Sequence, residues 1–137
     1  MSFHDAYLTI FLDFFCIYGL AAVVSMITTK ENGALLSVVS GMLISTFCGY
    51  GPSLQQAKDW KLIWWWRMCP GTYFAEAWMD AGTRPYAHVY NIKAGADSLG
   101  FNLGWFKWDC MAMVIIGVIY RFIAYGGLVS LERQRQR

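Results

Sequence analysis

Charge is the scarcest property of this sequence. Only 15% of its 137 residues are charged, whereas an ordinary globular domain carries about 25%. The same chain is 57% hydrophobic and 18% aromatic. This balance argues against an ordinary soluble domain and indicates an integral membrane protein. A net charge of +2, with no basic run before the last few residues, also argues against a nucleic-acid partner.

Motifs for catalysis and metal binding are missing as well. The four cysteines follow neither C-x-x-C nor zinc-like spacing. His4 and His88 each lack a second ligand at the required spacing, although His4 alone would be enough for axial ligation of a tetrapyrrole. The sequence contains no Ser/His/Asp arrangement and no G-x-x-x-x-G-K-[ST] phosphate loop. We therefore predict no catalytic residue, metal or cofactor, and no ATPase activity within these residues.

Three apolar runs are long enough to cross a bilayer, whose core needs roughly 17 to 25 helical residues, and the second run is at the short end of this range. They cover about 6–29, 34–50 and 110–131. We expect an all-α integral membrane fold, with three transmembrane helices in one membrane domain, 1–137. A cleavable signal peptide is not expected, because the first run contains Asp13 and follows no basic segment.

The segment between the second and third runs, about 53–109, opens with an unusual density of tryptophan. Tryptophan is typical of the boundary between lipid tails and headgroups. Four tryptophans within seven residues are therefore predicted to be interface anchors: Trp60, Trp64, Trp65 and Trp66. We expect this segment to be an interfacial or re-entrant helical loop.

Local patterns within that segment predict two helices. Residues 54–68 read as one amphipathic helix in the interface. Residues 72–79 read as a short helix after Pro70-Gly71, with Thr72 as its N-cap. Residues 82–104 are expected to be a loop with a small hairpin around Val89-Tyr90. Glu76 is expected to be a helix-surface carboxylate that contacts this loop.

Two ionisable side chains lie inside the predicted spans. At 1.5 Å per residue, Asp13 lies roughly 10 Å into the first span and Arg121 roughly 16 Å into the third. An unpaired charge at such a depth is costly. The leading interpretation is an intramembrane Asp13–Arg121 ion pair. A substrate-path role for Arg121, or snorkelling of its side chain, remains open.

Several segments together resemble one transporter family. The second run begins Asn32-Gly-Ala-Leu-Leu36 and ends Phe47-Cys-Gly-Tyr-Gly-Pro-Ser-Leu54, and the last run contains Ile119-Tyr-Arg-Phe-Ile-Ala-Tyr125. Glu76-Ala77 follows the Trp-rich segment. This pattern resembles the C-terminal part of the transmembrane domain of G-subfamily ABC transporters, the ABC-2 membrane family.

The resemblance implies a topology and a function. Met1 and the loop 53–109 would lie on the outer side of the membrane. Lys30 and Arg137 would lie on the inner side. Phe47 and Tyr50 would form an exit gate, although Tyr50 and Gly51 stand where family members often carry bulky aliphatic residues. The chain would be the permease part of an exporter of lipids or hydrophobic compounds in the plasma membrane. An ATP-binding domain elsewhere would supply the energy.

A second interpretation is a non-catalytic accessory subunit of a large membrane complex, such as a photosynthetic or respiratory supercomplex in an organelle membrane. Aromatic density suits either role, because both need close packing of helices with lipids or pigments. Both interpretations imply the lipid bilayer and other transmembrane chains as partners. An ATPase half would be the partner of a transporter.

Overall fold

The computed structural model describes residues 1–28, 32–46 and 52–135, and it is helical throughout. The helices are α1 (Phe3–Ile27), α2 (Gly33–Thr46), α3 (Leu54–Asp59), α4 (Ile63–Met68), α5 (Pro70–Thr83), α6 (Ile92–Leu99) and α7 (Phe106–Arg135), with a 3-10 turn at Arg84–Tyr86. The described residues contain no strand, so the all-α class is confirmed. The small hairpin expected around Val89-Tyr90 is wrong.

Two of these helices are long and apolar enough to cross a membrane. They are Phe3–Ile27 and Phe106–Ser130, each of 25 residues. Each would be about 37 Å long, which exceeds the hydrocarbon thickness of a bilayer. The middle predicted span, 34–50, is described only as far as α2, which has 14 residues. Its crossing of the membrane stays a prediction.

α1 and α7 run parallel, side by side. Cys16 Sγ donates to the carbonyl oxygen of Met113 at 3.0 Å, and a Cβ on Gly19 would lie 3.1 Å from the Cβ of Tyr120. Residue numbers therefore rise together along both helices. Gly117 permits the close approach, because a Cβ at this position would overlap the ring of Phe15. In lipid, the hydrophobic effect does not favour association of helices, so association depends on close packing. Small residues at a helix crossing permit this packing, because they let the two backbones approach.

The first turns of α5 lie against this helix pair. Buried Leu12, Cys16 and Met113 form a small core, and Tyr73 and Phe74 of α5 pack on it. This contact holds the start of α5 against the two candidate spans.

Helices α3 to α6 and the residues that follow, as far as Leu103, form a second packed unit, here named the cap. Its core consists of Leu54, Ala57, Trp66, Ala96 and Phe101. Gly100 caps the C-terminal end of α6, and its φ is +80°. A Cβ on Gly100 would lie 2.8 Å from the backbone nitrogen of Gln55. Glycine therefore allows both the left-handed turn and the close approach of α6 to α3.

The amphipathic helix expected over 54–68 is in fact two short helices. α3 begins with a capping box, in which Ser53 Oγ accepts from Gln56 N at 3.2 Å and Gln56 Oε1 accepts from Ser53 N at 3.1 Å. It ends in a Schellman motif at Lys61, whose φ is +58°. The Leu62 N–H donates to the Ala57 carbonyl, and the Lys61 N–H donates to the Lys58 carbonyl.

α5 is longer than the helix expected over 72–79, and it begins earlier. Pro70 occupies its first turn, where a missing N–H costs nothing. Thr72 is not its N-cap. Instead, Thr72 Oγ1 donates to the carbonyl oxygen of Trp66 at 2.9 Å. The segment expected to be a loop, 82–104, contains the 3-10 turn and α6.

Candidate functional site at the junction of the cap and α7

A row of polar residues spaced four apart follows one face of α5 and ends at the first residue of the 3-10 turn: Thr72, Glu76, Asp80 and Arg84. Residues at this spacing lie on the same side of a helix. The first three are buried, with Glu76 only 1% and Asp80 only 5% exposed. Buried polar side chains require hydrogen-bond partners. The partners of this α5 polar row therefore show what it holds together.

Glu76 joins three parts of the chain through its two carboxylate oxygens. Oε2 lies 2.7 Å from Nη1 of Arg67 at the end of α4. Oε1 accepts a hydrogen bond from the backbone N–H of Asn102, between α6 and α7. The expected contact with the loop is present, but the expected surface exposure of Glu76 was wrong. The carboxylate is an internal tie between α4, α5 and the segment that leads into α7.

Arg67 is held from a second side by an aromatic ring. The centre of its guanidinium lies 5.3 Å from the ring centroid of Tyr73, within the range of a cation–π contact. Its side chain is 26% exposed. The arginine therefore reaches Glu76 in the interior while part of it remains accessible.

The far end of the α5 polar row opens on a cavity of about 350 Å³. Asp80 Oδ2 accepts from Arg84 Nη2 at 2.9 Å, and both residues line the cavity. Tyr90 and Lys93 line it as well, from the turn before α6 and from α6 itself. Asp80, the last buried residue of the row, therefore borders a cavity of the cap.

Asp109 faces the same junction from the first turn of α7. It is 2% exposed, and within the described chain its Oδ2 is enclosed without a hydrogen-bond partner. The charges of Glu76, Arg67 and Asp80 act on it. Sequence reasoning missed this residue, because it placed Asp109 at the end of a loop. Its position at the start of an apolar helix was the available signal.

Arg121 binds backbone rather than a carboxylate. Its Nη1 donates to the carbonyl oxygens of Phe15 and Gly117, each at 2.9 Å. Its guanidinium also lies over the ring of Phe15, 3.6 Å from the centroid. The arginine therefore links α7 to α1 at their closest approach.

The structure does not bring Asp13 and Arg121 into an ion pair. The side-chain ion pairs of the described chain are His4–Asp5, Arg67–Glu76 and Arg84–Asp80. The Gly19–Tyr120 contact sets Arg121 level with the residue after Gly19, so Asp13 lies about 10 Å closer to the N-terminal end of the pair. The predicted pair would require the guanidinium to leave the Phe15 carbonyl, and it stays a prediction.

The other predicted site residues fall into three groups. Trp60, Trp64 and Trp65 are exposed, as an interfacial position requires, whereas Trp66 is buried in the core of the cap. Phe47 and Tyr50, the predicted exit gate, lie outside the described residues. Across residues 1–28, 32–46 and 52–135, no group of three His, Cys, Asp or Glu residues is arranged to hold a metal ion.

Comparison with known proteins points to one family. The family model for ABC-2 type transporters matches residues 1–134. The ABC-type transporter claG of Penicillium crustosum is 37% identical over 97 residues, which cover 71% of this chain and 13% of that protein. The putative white-brown complex homolog protein 30 of Arabidopsis thaliana is 22% identical over 135 residues, covering 97% of this chain and 12% of that protein. The chain thus corresponds to a small part of each relative, and no solved structure matches it.

Proposed function

The chain belongs to the ABC-2 type transporter family, and from this premise we propose that it is part of the membrane-spanning permease of an ABC exporter of lipids or other hydrophobic compounds. The observation that carries the proposal is the family match over residues 1–134. It confirms the resemblance to the ABC-2 membrane family noted in the sequence. The 37% identity to a fungal ABC-type transporter supports the same assignment.

In the proposed arrangement, α1 and α7 cross the membrane, and a third span begins with α2. The cap lies on the outer side and partly re-enters the outer leaflet. The exposed rings of Trp60, Trp64 and Trp65 support this placement, because tryptophan favours the headgroup region. The plasma membrane is the location that fits an exporter.

The outer face of α1 supports contact with lipid or another transmembrane chain. A line of exposed aromatic side chains follows one side of this helix: Phe3, Tyr7, Phe11, Phe14 and Tyr18. The ring of Tyr7 stacks with those of Phe3 and Phe11, at centroid separations of 6.5 and 6.3 Å. The rings of Phe14 and Tyr18 are tilted, with centroids 6.4 Å apart. Such a surface is stable against lipid tails or a second apolar helix and costly in water.

Energy for transport would come from an ATP-binding unit elsewhere in the polypeptide or on a partner chain. The 137 residues contain no phosphate loop, so the nucleotide cradle would have to be supplied from outside them. We assign the α5 polar row the role of holding α4, α5 and the segment that leads into α7 together. The cap and the last span would then move together when the transporter changes state.

Purification tests the assignment to an exporter. The full polypeptide that carries this segment, extracted in mild detergent, should contain or bring with it an ATP-binding unit. Its ATPase activity should rise when a hydrophobic compound such as rhodamine 123 is added. Recovery in a pigment- or haem-bearing complex without any ATPase would instead support the accessory-subunit interpretation.

Labelling with a membrane-impermeant maleimide tests the topology. Single cysteines at Ala94, exposed on α6, and at Asn32, exposed before α2, provide one site on each proposed side. In sealed cells, Ala94→Cys should react and Asn32→Cys should react only after permeabilisation. The opposite pattern would invert the proposed orientation, and reaction at both sites would show that the membrane is not crossed between them.

A further inference from the structure

The junction between the cap and α7 buries one more carboxylate than it has arginine partners. Glu76 is paired with Arg67 at 2.7 Å, and Asp80 with Arg84 at 2.9 Å. Asp109 takes part in no ion pair of the described chain, and its enclosed Oδ2 accepts no hydrogen bond there. The carboxylate is therefore buried without the compensation that its two neighbours have.

The charges that face Asp109 do not supply this compensation. From α5, Glu76 and Asp80 both repel a negative charge on it. From α4, Arg67 attracts it, but this guanidinium is already bound to Glu76. From α1, the negative charge of Asp5 acts on Cys110, the residue next to Asp109. His4 is not a partner of Asp109 either, since its Nδ1 lies 3.8 Å from Oδ1 of Asp5.

A buried carboxylate in this position is stable when it carries no charge. Removal of an unpaired ionised carboxylate from water is so unfavourable that such groups bind a proton instead. A multivalent metal would need several ligands, and no group of three metal-binding side chains occurs in the described ranges. A proton needs a single oxygen, and the unpartnered Oδ2 of Asp109 provides one.

We propose that Asp109 is a proton-binding site, at which the folded protein holds one proton that completes the charge balance between the cap and α7. Asp80, whose charge acts on Asp109, lines the cavity of about 350 Å³ in the cap. Loss of the proton at alkaline pH leaves an additional unpaired negative charge at the junction and loosens the attachment of the cap. This inference follows from the buried charges alone and does not depend on the transport function.

Infrared spectroscopy and thermal melting of the full polypeptide in detergent test the site. At neutral pH the wild type should show the carbonyl stretching band of a protonated carboxyl group. That band should be lost in Asp109→Asn and retained in Asp97→Asn, which removes an exposed carboxylate on α6. The melting temperature of the wild type should fall as the pH is raised from mildly acidic to alkaline. Asp109→Asn should lose most of this fall, because asparagine is a neutral isostere of the protonated side chain.

Three results would overturn the proposal. The first is an infrared band that persists in Asp109→Asn. The second is a failure of Asp109→Asn to fold at mildly acidic pH, where it should resemble the protonated wild type. The third is recovery of wild-type stability at alkaline pH on addition of sodium chloride but not of choline chloride, which would assign the site to an alkali cation instead.

Discussion

The guanidinium of Arg67 and the carboxylate of Glu76 form a short ion pair, 2.7 Å between Nη1 and Oε2, whose two ends differ greatly in exposure. Glu76 is 1% exposed, whereas Arg67 is 26% exposed. The pair joins α4 to α5, and the second oxygen of Glu76 binds the backbone of Asn102 ahead of α7. One buried side chain therefore ties α4 and α5 to the segment that precedes the last candidate span.

This asymmetry predicts different costs for losing the two partners. Arg67→Met leaves Glu76 as a buried, uncompensated anion, and should cost about 3–5 kcal/mol of stability. Glu76→Gln leaves an arginine that can still reach water and an amide oxygen that can still accept, so it should cost about 1–2 kcal/mol. Thermal melting in detergent measures both, with exposed Asp97→Asn as a control expected to change little. Equal losses in the two variants would contradict the burial seen here.

The crossing of α1 and α7 should depend on Gly117 and not on Gly126. A Cβ on Gly117 would overlap the ring of Phe15, whereas a Cβ on Gly126 would meet nothing within 4 Å. Gly117→Ala should therefore destabilise by about 1–3 kcal/mol, as overpacking does. Gly126→Ala, on the same helix, should be neutral or slightly stabilising. Equal melting temperatures for the two variants would show that the helices do not approach closely at Gly117.

Arg121 should stabilise the helix pair through the backbone of α1. Arg121→Gln removes two charge-assisted hydrogen bonds and the contact with the Phe15 ring, and should cost about 1.5–3 kcal/mol. Arg121→Lys should recover only part of the loss, because an ammonium cannot reproduce a planar guanidinium that stacks and donates at once. Full recovery by lysine would assign the effect to charge alone.

A double-mutant cycle with Asp13→Asn tests the ion pair predicted from the sequence. If the carboxylate and the guanidinium pair in the membrane, the double variant should lose less stability than the two single variants lose in sum. Additive losses would leave Phe15 and Gly117 as the partners of Arg121.

Lys61 offers a stabilising substitution. It occupies the left-handed position of the Schellman motif between α3 and α4, with φ of +58°, where a side chain costs about 1–2 kcal/mol. Lys61→Gly should therefore raise stability by about 1 kcal/mol, after allowance for the greater freedom of glycine in the unfolded chain. Lys58→Gly, within α3, should instead lower stability by about 1 kcal/mol. An unchanged or lower melting temperature for Lys61→Gly would argue against the break in the helix at this position.

Long apolar runs made α1 and α7 predictable from the sequence, because a run of that length has few other stable forms. The break at Lys61 was not predictable, since lysine is a good helix former and only the surrounding hydrogen bonds force the turn. α5 was predicted too short because Pro70-Gly71 reads in the sequence as a break before it and 82–104 as a loop after it, whereas Pro70 fits the first turn of the helix. The register of α1 against α7, on which the surroundings of Asp13 and Arg121 depend, is set by the approach of Phe15 and Gly117.

Transport by inside-out membrane vesicles tests the central claim most directly. The vesicles should contain the full polypeptide that carries this segment, with its ATP-binding unit. They should accumulate a fluorescent phospholipid or rhodamine 123 only when ATP is supplied, and Gly117→Ala should reduce the rate while Gly126→Ala retains it. Folded, membrane-inserted protein that accumulates neither probe on addition of ATP would contradict the assignment of this chain to an exporter of lipids and hydrophobic compounds.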